Sequence, residues 1–297
     1  MKSLKQLAII GPTASGKTSL AIKVAKSIDA YILSLDSLSI YQEVDIVSAK
    51  PSLEEREGIL HFGIDCLLPD EHFDVNIYIQ LYHEVYQRCL DEGKNLVIVG
   101  GTSFYLKMLI EGISTLPTLS EANKNKAATL MEDTQACYTM LYALDSAYMS
   151  KIEKQDSYRI EKALLIYLET GLAPSLYFSQ FPPIPTIRGE IEIYHIVWER
   201  EILRERIALR TKLMIEEGLI DEICRLEKRY TRLPNCMKSI GIKETLGYLD
   251  GLYTKEQLIE KITTNTARLA KRQNTFNNSQ FEKITKGSIE ILEQRLL

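Results

Sequence analysis

Short apolar runs alternate with helical segments at the start of the chain. The runs at Leu7–Ile10, Tyr31–Leu35 and Leu96–Val99 have the length and composition of buried strands. Between them, apolar residues recur with helical spacing at Ser19–Ile28 and at Val75–Asp91. This strand–helix–strand order predicts an α/β fold in which helices cover both faces of a mainly parallel sheet.

The pattern changes near residue 120. Helical spacing continues over 120–171, with breaks near Asp145 and Asp156, and a proline-rich stretch at 181–185 ends this block. The alternating segment 190–198 then predicts a strand that returns to the sheet, followed by several helices. We therefore expect a core formed by 1–119 and 188–297, with a helical insertion at 120–187.

Composition narrows the class of protein. The 297 residues are 45% hydrophobic and 26% charged, as is typical of soluble globular proteins. Apolar runs are no longer than a strand, and none near the start has the length of a signal peptide, so we expect no membrane segment. The five cysteines are scattered and lack C-x-x-C spacing, which argues against disulfides and zinc and favours a reducing cytoplasm.

Charge is unevenly distributed along the chain. The net charge of −4 argues weakly against a nucleic-acid partner, but basic residues concentrate over 200–243 and again at Arg268, Lys271 and Arg272. These runs are compatible with a solvated helix face paired with nearby glutamates. They are equally compatible with a surface that follows RNA phosphates, and both interpretations stay open.

A phosphate-binding loop follows the first apolar run. The spacing Gly-x-x-x-x-Gly-Lys-Thr is the complete P-loop pattern, in which backbone N–H groups and a helix N-terminus face the phosphates. Lys17 would bring a cation to the outer phosphate oxygens, and the Thr18 hydroxyl could bind a magnesium ion, Mg2+. The predicted site for a di- or triphosphate comprises Gly11, Pro12, Thr13, Ala14, Ser15, Gly16, Lys17 and Thr18. The pattern does not say that the ligand is a nucleotide.

Two further polar residues follow strands of the same predicted sheet. Asp36 ends the second strand, and Thr102 comes after Gly100 and Gly101 at the end of the third. Ligands of open α/β sheets bind beyond the carboxyl ends of the strands, so we expect both residues beside the P-loop. Asp36 is either a turn cap or a metal ligand or general base. Thr102 either closes a turn or polarises a bridging oxygen of the ligand.

One absence argues against an ATPase or GTPase. Those enzymes usually carry an aspartate at the end of a later apolar strand, whereas this strand ends in Val99-Gly100-Gly101. The sequence has no N-K-x-D motif, and its four histidines lack metal-ligand spacing. The residues alone thus indicate a P-loop enzyme of phosphotransfer type. A kinase acting on a nucleoside or small metabolite, and a non-catalytic RNA-binding module, remain alternatives.

Five motifs carry a more specific resemblance. They are GPTASGKT at 11–18, DSLSIYQEVDIVSAKPS at 36–52, IVGGTSFYLKMLIEGI at 98–113, SIGIKE at 239–244 and AKRQNTF at 270–276. In this order they resemble the tRNA dimethylallyltransferases, also called tRNA isopentenyltransferases, over essentially the whole chain. The resemblance implies a P-loop NTPase-like core with a mainly parallel sheet and an all-helical insertion domain.

The resemblance also implies a reaction. The P-loop would hold the pyrophosphate of dimethylallyl pyrophosphate with help from Lys238 and Mg2+, and the acceptor would be N6 of the adenosine 3′ of a tRNA anticodon. Asp36 would be the base, and Thr102 would bind the oxygen that bridges the prenyl group to its pyrophosphate. The positions expected to contact the tRNA anticodon stem-loop are Asp36, Ser37, Leu38, Ser39, Thr102, Lys124, Asp156, Ser157, Tyr158, Arg159, Ile160, Lys271 and Arg272. We expect a monomer.

Several positions depart from the pattern of the family. Ser39 replaces the usual Gln, Val47-Ser48 the common Gly-Thr, and Ile242 a Tyr. Leu165 stands where a Glu is common, and the sequence TFNN at 275–278 replaces an aromatic-basic continuation. These departures affect the expected tRNA contacts and leave every proposed catalytic group in place.

Overall fold

The computed structural model describes residues 4–187 and 189–297. The chain divides into two compact units, one comprising Met1–Lys107 with Ile187–Leu297 and the other Met108–Thr186. The second unit begins earlier than the insertion expected at 120–187, because the end of a helix at Ser103–Glu111 and the segment after it belong to this unit.

The larger unit is built on a parallel sheet of six strands in the order β3-β2-β4-β1-β5-β6. The strands are β1 (Gln6–Ile10), β2 (Ala30–Leu35), β3 (His61–Phe62), β4 (Asn95–Gly100), β5 (Glu192–Ile196) and β6 (Thr285–Gly287). The predicted α/β fold with a mainly parallel sheet is therefore confirmed.

Helices make up most of the remaining described chain. They are α1 (Lys17–Ser27), α2 (Val75–Glu92), α3 (Ser103–Glu111), α4 (Glu121–Met131), α5 (Thr134–Leu144), α6 (Ser146–Met149), α7 (Ser157–Thr170), α8 (Pro174–Gln180), α9 (Arg200–Glu216), α10 (Leu219–Tyr230), α11 (Ile242–Leu249), α12 (Lys255–Gln280) and α13 (Ile289–Leu296). A short 3-10 helix covers Asn235–Lys238. No helix in the described part of the chain is long and apolar enough to cross a membrane.

Both faces of the sheet are covered, as strand alternation requires. Leu7 and Ile9 of β1 belong to an apolar cluster with residues of α1 and with Leu292 of α13. Gln6 points to the opposite face, where its Oε1 accepts a hydrogen bond of 2.8 Å from the Tyr82 hydroxyl of α2. The sheet is thus sandwiched between helices, and its buried strands explain the continuous apolar runs in the sequence.

The edges of the sheet were not predicted. Strand β3 pairs with β2 through two residues, and β6 pairs with β5 through three. Segments this short do not show the alternation by which a strand is recognised in a sequence. The predicted strand at 190–198 is found as β5, between β1 and β6.

In the smaller unit, aspartates determine where helices begin. Asp133, Asp145 and Asp156 each accept a hydrogen bond from a backbone N–H in the first turn of α5, α6 and α7, respectively. The breaks expected near Asp145 and Asp156 are therefore N-caps. Asp133 adds a further break that the continuous helical spacing concealed, since it separates α4 from α5.

Gly100 permits a close backbone approach between β4 and β2. A Cβ atom at this position would lie 2.1 Å from the carbonyl oxygen of Leu35 in β2. We expect Gly100→Ala to lower the free energy of unfolding by about 1–3 kcal/mol, because the two strands must move apart. Chemical denaturation would measure this loss.

A matched control is Gly93→Asn at the end of α2, where the space around the residue is open and φ is 67°. Asparagine tolerates this left-handed conformation, so the control should lose less than about 1 kcal/mol. Equal stability of Gly100→Ala and wild type would contradict the steric argument.

Candidate active site

The P-loop connects β1 to α1 in a conformation suited to anions. Ala14 and Gly16 both have positive φ, 60° and 84°, which turns backbone N–H groups toward the inside of the loop. Gly16 is the N-cap of α1, so the helix starts at Lys17, two residues before the start expected from its apolar spacing. The helix N-terminus and the loop amides together provide the partial positive charge of an anion site.

Lys17 is oriented by the loop itself. Its Nζ donates a hydrogen bond of 2.6 Å to the carbonyl oxygen of Pro12. Loss of water around the ammonium lowers the pKa of Lys17 to about 7, with the charge of Arg210 acting in the same direction and that of Asp36 opposing it. The protonation state of Lys17 is therefore sensitive, near neutral pH, to the charges placed beside it.

A cavity of about 520 Å³ joins the P-loop to both residues predicted at the neighbouring strand ends. Thr13, Ala14, Asp36 and Thr102 line the same cavity. Other lining residues come from the segment after β2, from α9, from the 3-10 helix and from α12. The structure thus brings together groups from several separate parts of the sequence.

Asp36 combines a turn-capping role with exposure to the cavity. Its Oδ1 accepts hydrogen bonds from the backbone N–H groups of Leu38, at 2.8 Å, and Ser39, at 3.3 Å. Both of these bonds are made by Oδ1 and neither by Oδ2. The carboxylate is therefore held in one orientation at the cavity wall.

Thr102 is held by the backbone of β2. Its N–H donates to the carbonyl oxygen of Leu35 at 3.0 Å, and its own carbonyl accepts from Tyr105 N–H at 2.9 Å in the first turn of α3. Gln273 of α12 links this turn to the P-loop, because its Nε2 donates to Gly101 O at 3.1 Å and its Oε1 accepts from Thr13 N–H at 3.0 Å. One side chain thus fixes the spacing between two walls of the cavity.

Arg210 is a functional group that the sequence did not single out. Its Nη1 donates to Thr13 Oγ1 at 3.3 Å, and the guanidinium influences the titration of Lys17. Burial lowers the pKa of Arg210, while the charges of Asp36 and Glu217 raise it. An arginine side chain stays charged in proteins, so Arg210 places a positive charge in the cavity, whereas Lys17 is not among the residues that line it.

Helix α9 also supports the P-loop from outside the cavity. Arg206 donates to Ala14 O at 2.8 Å and lies 4.6 Å from the centre of the Trp198 ring, whose Nε1 donates to Ser15 O at 3.0 Å. Arg206 and Arg210 are one helical turn apart beside the buried residues Leu203 and Ile207. The four-residue spacing of these two arginines could have indicated their shared role at the P-loop. In the sequence, however, they cannot be distinguished from the other basic residues of 200–243, which could equally form a solvated helix face.

The other predicted phosphate-site residues have different environments. Gly11, Pro12 and Ser15 of the loop are buried, whereas Lys238 is exposed at the end of the 3-10 helix and lines the cavity. Thr18 is exposed and lines a separate cavity of about 890 Å³, which shares Arg210 and Met214 with the first. The structure therefore does not bring Thr18 into the cavity that contains Asp36 and Thr102.

The predicted RNA-contact residues are distributed over both units. Ser37 and Leu38 line the cavity, while Ser39 is buried and its hydroxyl lies 3.0 Å from that of Ser34. In the smaller unit, Ser157, Tyr158 and Arg159 are exposed at the start of α7, and Asp156 caps this helix. Ile160 is completely buried in the helical core. Lys124 forms an exposed ion pair of 2.5 Å with Glu121. Lys271 and Arg272 are exposed on α12 of the larger unit.

The shifted pKa of Lys17 predicts a pH-dependent affinity for diphosphates. With a pKa of about 7, Lys17 of the free protein has largely lost its proton by about pH 8, so binding of an alkyl diphosphate to the charged lysine then takes up one proton. We expect the Kd to rise about tenfold for each pH unit above roughly 7.5, until the pKa of the complex is reached. Titration calorimetry in buffers of different ionisation enthalpy would measure both the affinity and the proton uptake.

Lys17→Arg provides the control, because arginine remains charged throughout this range. Its affinity should change little between pH 7.5 and 9. A wild-type affinity that is equally flat, or a slope that persists in the Arg variant, would contradict the assignment to Lys17.

Known proteins resemble this chain over almost its whole length. A protein of Sulfurovum sp. (strain NBC37-1) named tRNA dimethylallyltransferase is 62% identical over 294 residues, covering 99% of this chain and 98% of that protein. One of the same name from Sulfurimonas denitrificans is 58% identical, covering 99% of each.

Solved structures show the same similarity. A tRNA isopentenylpyrophosphate transferase from Bacillus halodurans has a TM-score of 0.70 and 29% identity, covering 98% of this chain and 94% of its own. A eukaryotic dimethylallyltransferase described as acting on tRNA has a TM-score of 0.85 and 25% identity, covering 98% of this chain and 75% of its own. The model of the IPP transferase family matches residues 39–280. The resemblance seen in the sequence motifs is confirmed, and the chain belongs to the IPP transferase family.

Proposed function

We propose that this protein transfers a dimethylallyl group from dimethylallyl pyrophosphate to N6 of the adenosine 3′-adjacent to the anticodon in tRNA. The observation that carries the proposal is one cavity whose lining includes Thr13 and Ala14 of the P-loop, Asp36 and Thr102. A P-loop can bind a diphosphate, and a neighbouring carboxylate can remove a proton from an acceptor. The identification of the prenyl group and of tRNA follows from the names of the two relatives, both called tRNA dimethylallyltransferase.

The P-loop side of the cavity suits the leaving group. In the reaction the bond between C1 of the prenyl group and its bridging oxygen breaks, and both electrons leave with pyrophosphate. Loop amides, Lys17 and Arg210 supply positive charge where this negative charge develops. We assign the bridging oxygen to the Thr102 hydroxyl and the outer phosphate oxygens to Lys17 and Lys238.

Asp36 suits the acceptor side. The adenine N6 forms a new bond to C1 of the prenyl group and loses one proton, which the Asp36 carboxylate accepts. Bonds from two backbone N–H groups keep this carboxylate at the cavity wall. A base inside a stacked anticodon loop could not reach such a cavity, so the adenosine must be extruded from the stack.

Magnesium is implied by the family and fits the residues present. The described chain contains no cluster of three His, Cys, Asp or Glu side chains. Mg2+ does not need one, because it commonly takes one or two protein oxygens and completes its shell with water and phosphate oxygens. The proposed protein ligand is the exposed Thr18 hydroxyl at the start of α1. Thr18 lines the neighbouring cavity, which shares Arg210 and Met214 with the cavity of Asp36 and Thr102, so the pyrophosphate would have to reach into both cavities. When bound, the ion would neutralise charge on the pyrophosphate.

We also propose how the tRNA is held. Exposed side chains at the start of α7, together with Lys124, Lys271 and Arg272, supply charge and hydrogen bonds for the anticodon stem-loop. Ser39 and Ile160 have buried side chains, so any RNA contact at these positions would use the backbone. Free thiols at all five cysteines suit a reducing cytoplasm, and we propose that the protein acts there as a monomer.

The direct test is incubation of the protein with radiolabelled dimethylallyl pyrophosphate, Mg2+ and unmodified tRNA. Label should enter the RNA and, after digestion, be found on the adenosine 3′ of the anticodon. Replacing the prenyl donor with ATP labelled in its γ-phosphate should give no labelled product. Phosphate transfer from ATP, or absence of prenylated RNA, would refute the proposal and favour a P-loop kinase or a non-catalytic binding module.

Replacement of the proposed base should affect chemistry more than binding. We expect Asp36→Asn to lower the single-turnover rate by about 10²–10⁴-fold, because the amide can still cap the turn but cannot accept the N6 proton. Affinity for tRNA should change little. Rapid-quench measurements at saturating donor and tRNA would give the rate.

Asp91→Asn, an exposed carboxylate on α2, is the matched control and should retain the wild-type rate. An Asp36→Asn rate within threefold of wild type would remove Asp36 from the role of base.

A further inference from the structure

A buried carboxylate in the larger unit has a function that the reaction does not explain. Glu222 of α10 is 3% exposed. It accepts hydrogen bonds from the backbone N–H groups of Asp45, at 3.0 Å, Ile46, at 2.7 Å, and Val47, at 3.0 Å. Three successive donors of an irregular segment thus converge on one side chain 175 or more residues later in the sequence.

These bonds replace the regular partners that the segment lacks. Burial raises the pKa of the Glu222 carboxyl, and the three N–H groups act in the opposite direction by stabilising its charged form. Backbone N–H groups in a buried loop are costly to leave unpaired, and so is a buried carboxylate. The carboxylate and the three N–H groups therefore satisfy each other's hydrogen bonds. These bonds fix the backbone path of Asp45–Val47.

The fixed segment separates two cavities. Val47 and Ser48 line the P-loop cavity, whereas Asp45 and Ile46 line the second cavity, which Thr18 also lines. The orientation of Val47 is therefore set directly by the backbone that Glu222 holds.

Val47 is also restrained from the opposite side. Its Cγ2 lies so close to Gly241 that a Cβ there would be 2.5 Å away. Gly241 is fixed in turn by Glu244, whose Oε2 accepts from Gly241 N–H at 2.7 Å. Tyr41, Phe73 and Ile240 line the same cavity and make this part of its wall apolar.

An apolar wall in the same cavity as residues of a phosphate loop suits the hydrocarbon part of an allylic diphosphate. We propose that Glu222 is a positioning residue: its carboxylate holds Val47 against Gly241, and Val47 thereby limits the length of the allylic chain that the cavity accepts. The proposal rests on the proposed function and deepens it, since it names what sets donor specificity at the same site.

The experiment compares two donors in three variants. Steady-state kcat and KM are measured with dimethylallyl (C5) and geranyl (C10) diphosphates and unmodified tRNA, together with the thermal midpoint of each protein. In Glu222→Gln the side-chain NH2 group faces at least one backbone N–H, and two donors cannot bond to each other. The 45–47 segment should then shift and move Val47, so we expect the KM for the C5 donor to rise about tenfold with a smaller change in kcat. The KM for tRNA should stay within about twofold of wild type.

Val47→Ala removes the two methyl groups that, in this proposal, limit the length of the allylic chain. It should raise the ratio of kcat/KM for C10 over C5 by about tenfold or more. Asp221→Asn makes the same carboxylate-to-amide change at the adjacent, exposed position of α10 and should leave both donors unaffected.

Each outcome decides one question. If wild type transfers no prenyl group, the proposed function fails. If wild type is active but Val47→Ala keeps the wild-type donor ratio, the inference is wrong, whether or not Glu222→Gln folds. A rise in the KM for tRNA in place of the KM for the donor would also refute it, because Val47 would then face the acceptor.

Discussion

The site depends on the alignment of three strand ends. In the register of the sheet, Ile10 of β1 pairs with Gly100 of β4, and Gly100 pairs with Leu35 of β2. The P-loop, Asp36 and the Gly101–Thr102 turn continue from these three residues, so the sheet alone brings them to one edge. Gly100 makes the alignment possible, since any side chain there would collide with the Leu35 carbonyl.

Electrostatics at this edge are arranged for an anion. Arg210 lies close enough to lower the pKa of Lys17, and the charge of Asp36 raises the pKa of both groups. Two cations near each other in a partly shielded site are unfavourable, and Lys17 avoids this by losing its proton more readily. An anion bound at the loop would favour the protonated lysine, which couples anion affinity to protonation.

Local signals predicted much of this arrangement, and long-range contacts account for what they missed. The P-loop and four strands follow from spacing within a few residues. Strands β3 and β6 are too short to have a period, and Asp133 was hidden by helical spacing on both sides. Charged residues were the hardest to interpret. Arg210 and Glu222 occur in highly charged helices, and only the fold shows that one reaches the P-loop and the other a buried backbone segment. The family motifs likewise could not show that Ser39 is enclosed.

The link made by Gln273 has a consequence for the order in which the protein can assemble. Its side chain joins Thr13 to Gly101 across 260 and 172 residues of sequence, respectively. During synthesis, the P-loop strand leaves the ribosome long before α12 exists, and such distant contacts form late because a long loop must close first. The nascent chain can therefore build its phosphate loop early, but it can fix the loop against the opposite wall only after α12 has been made. Until then the protein carries the parts of its site without their final spacing.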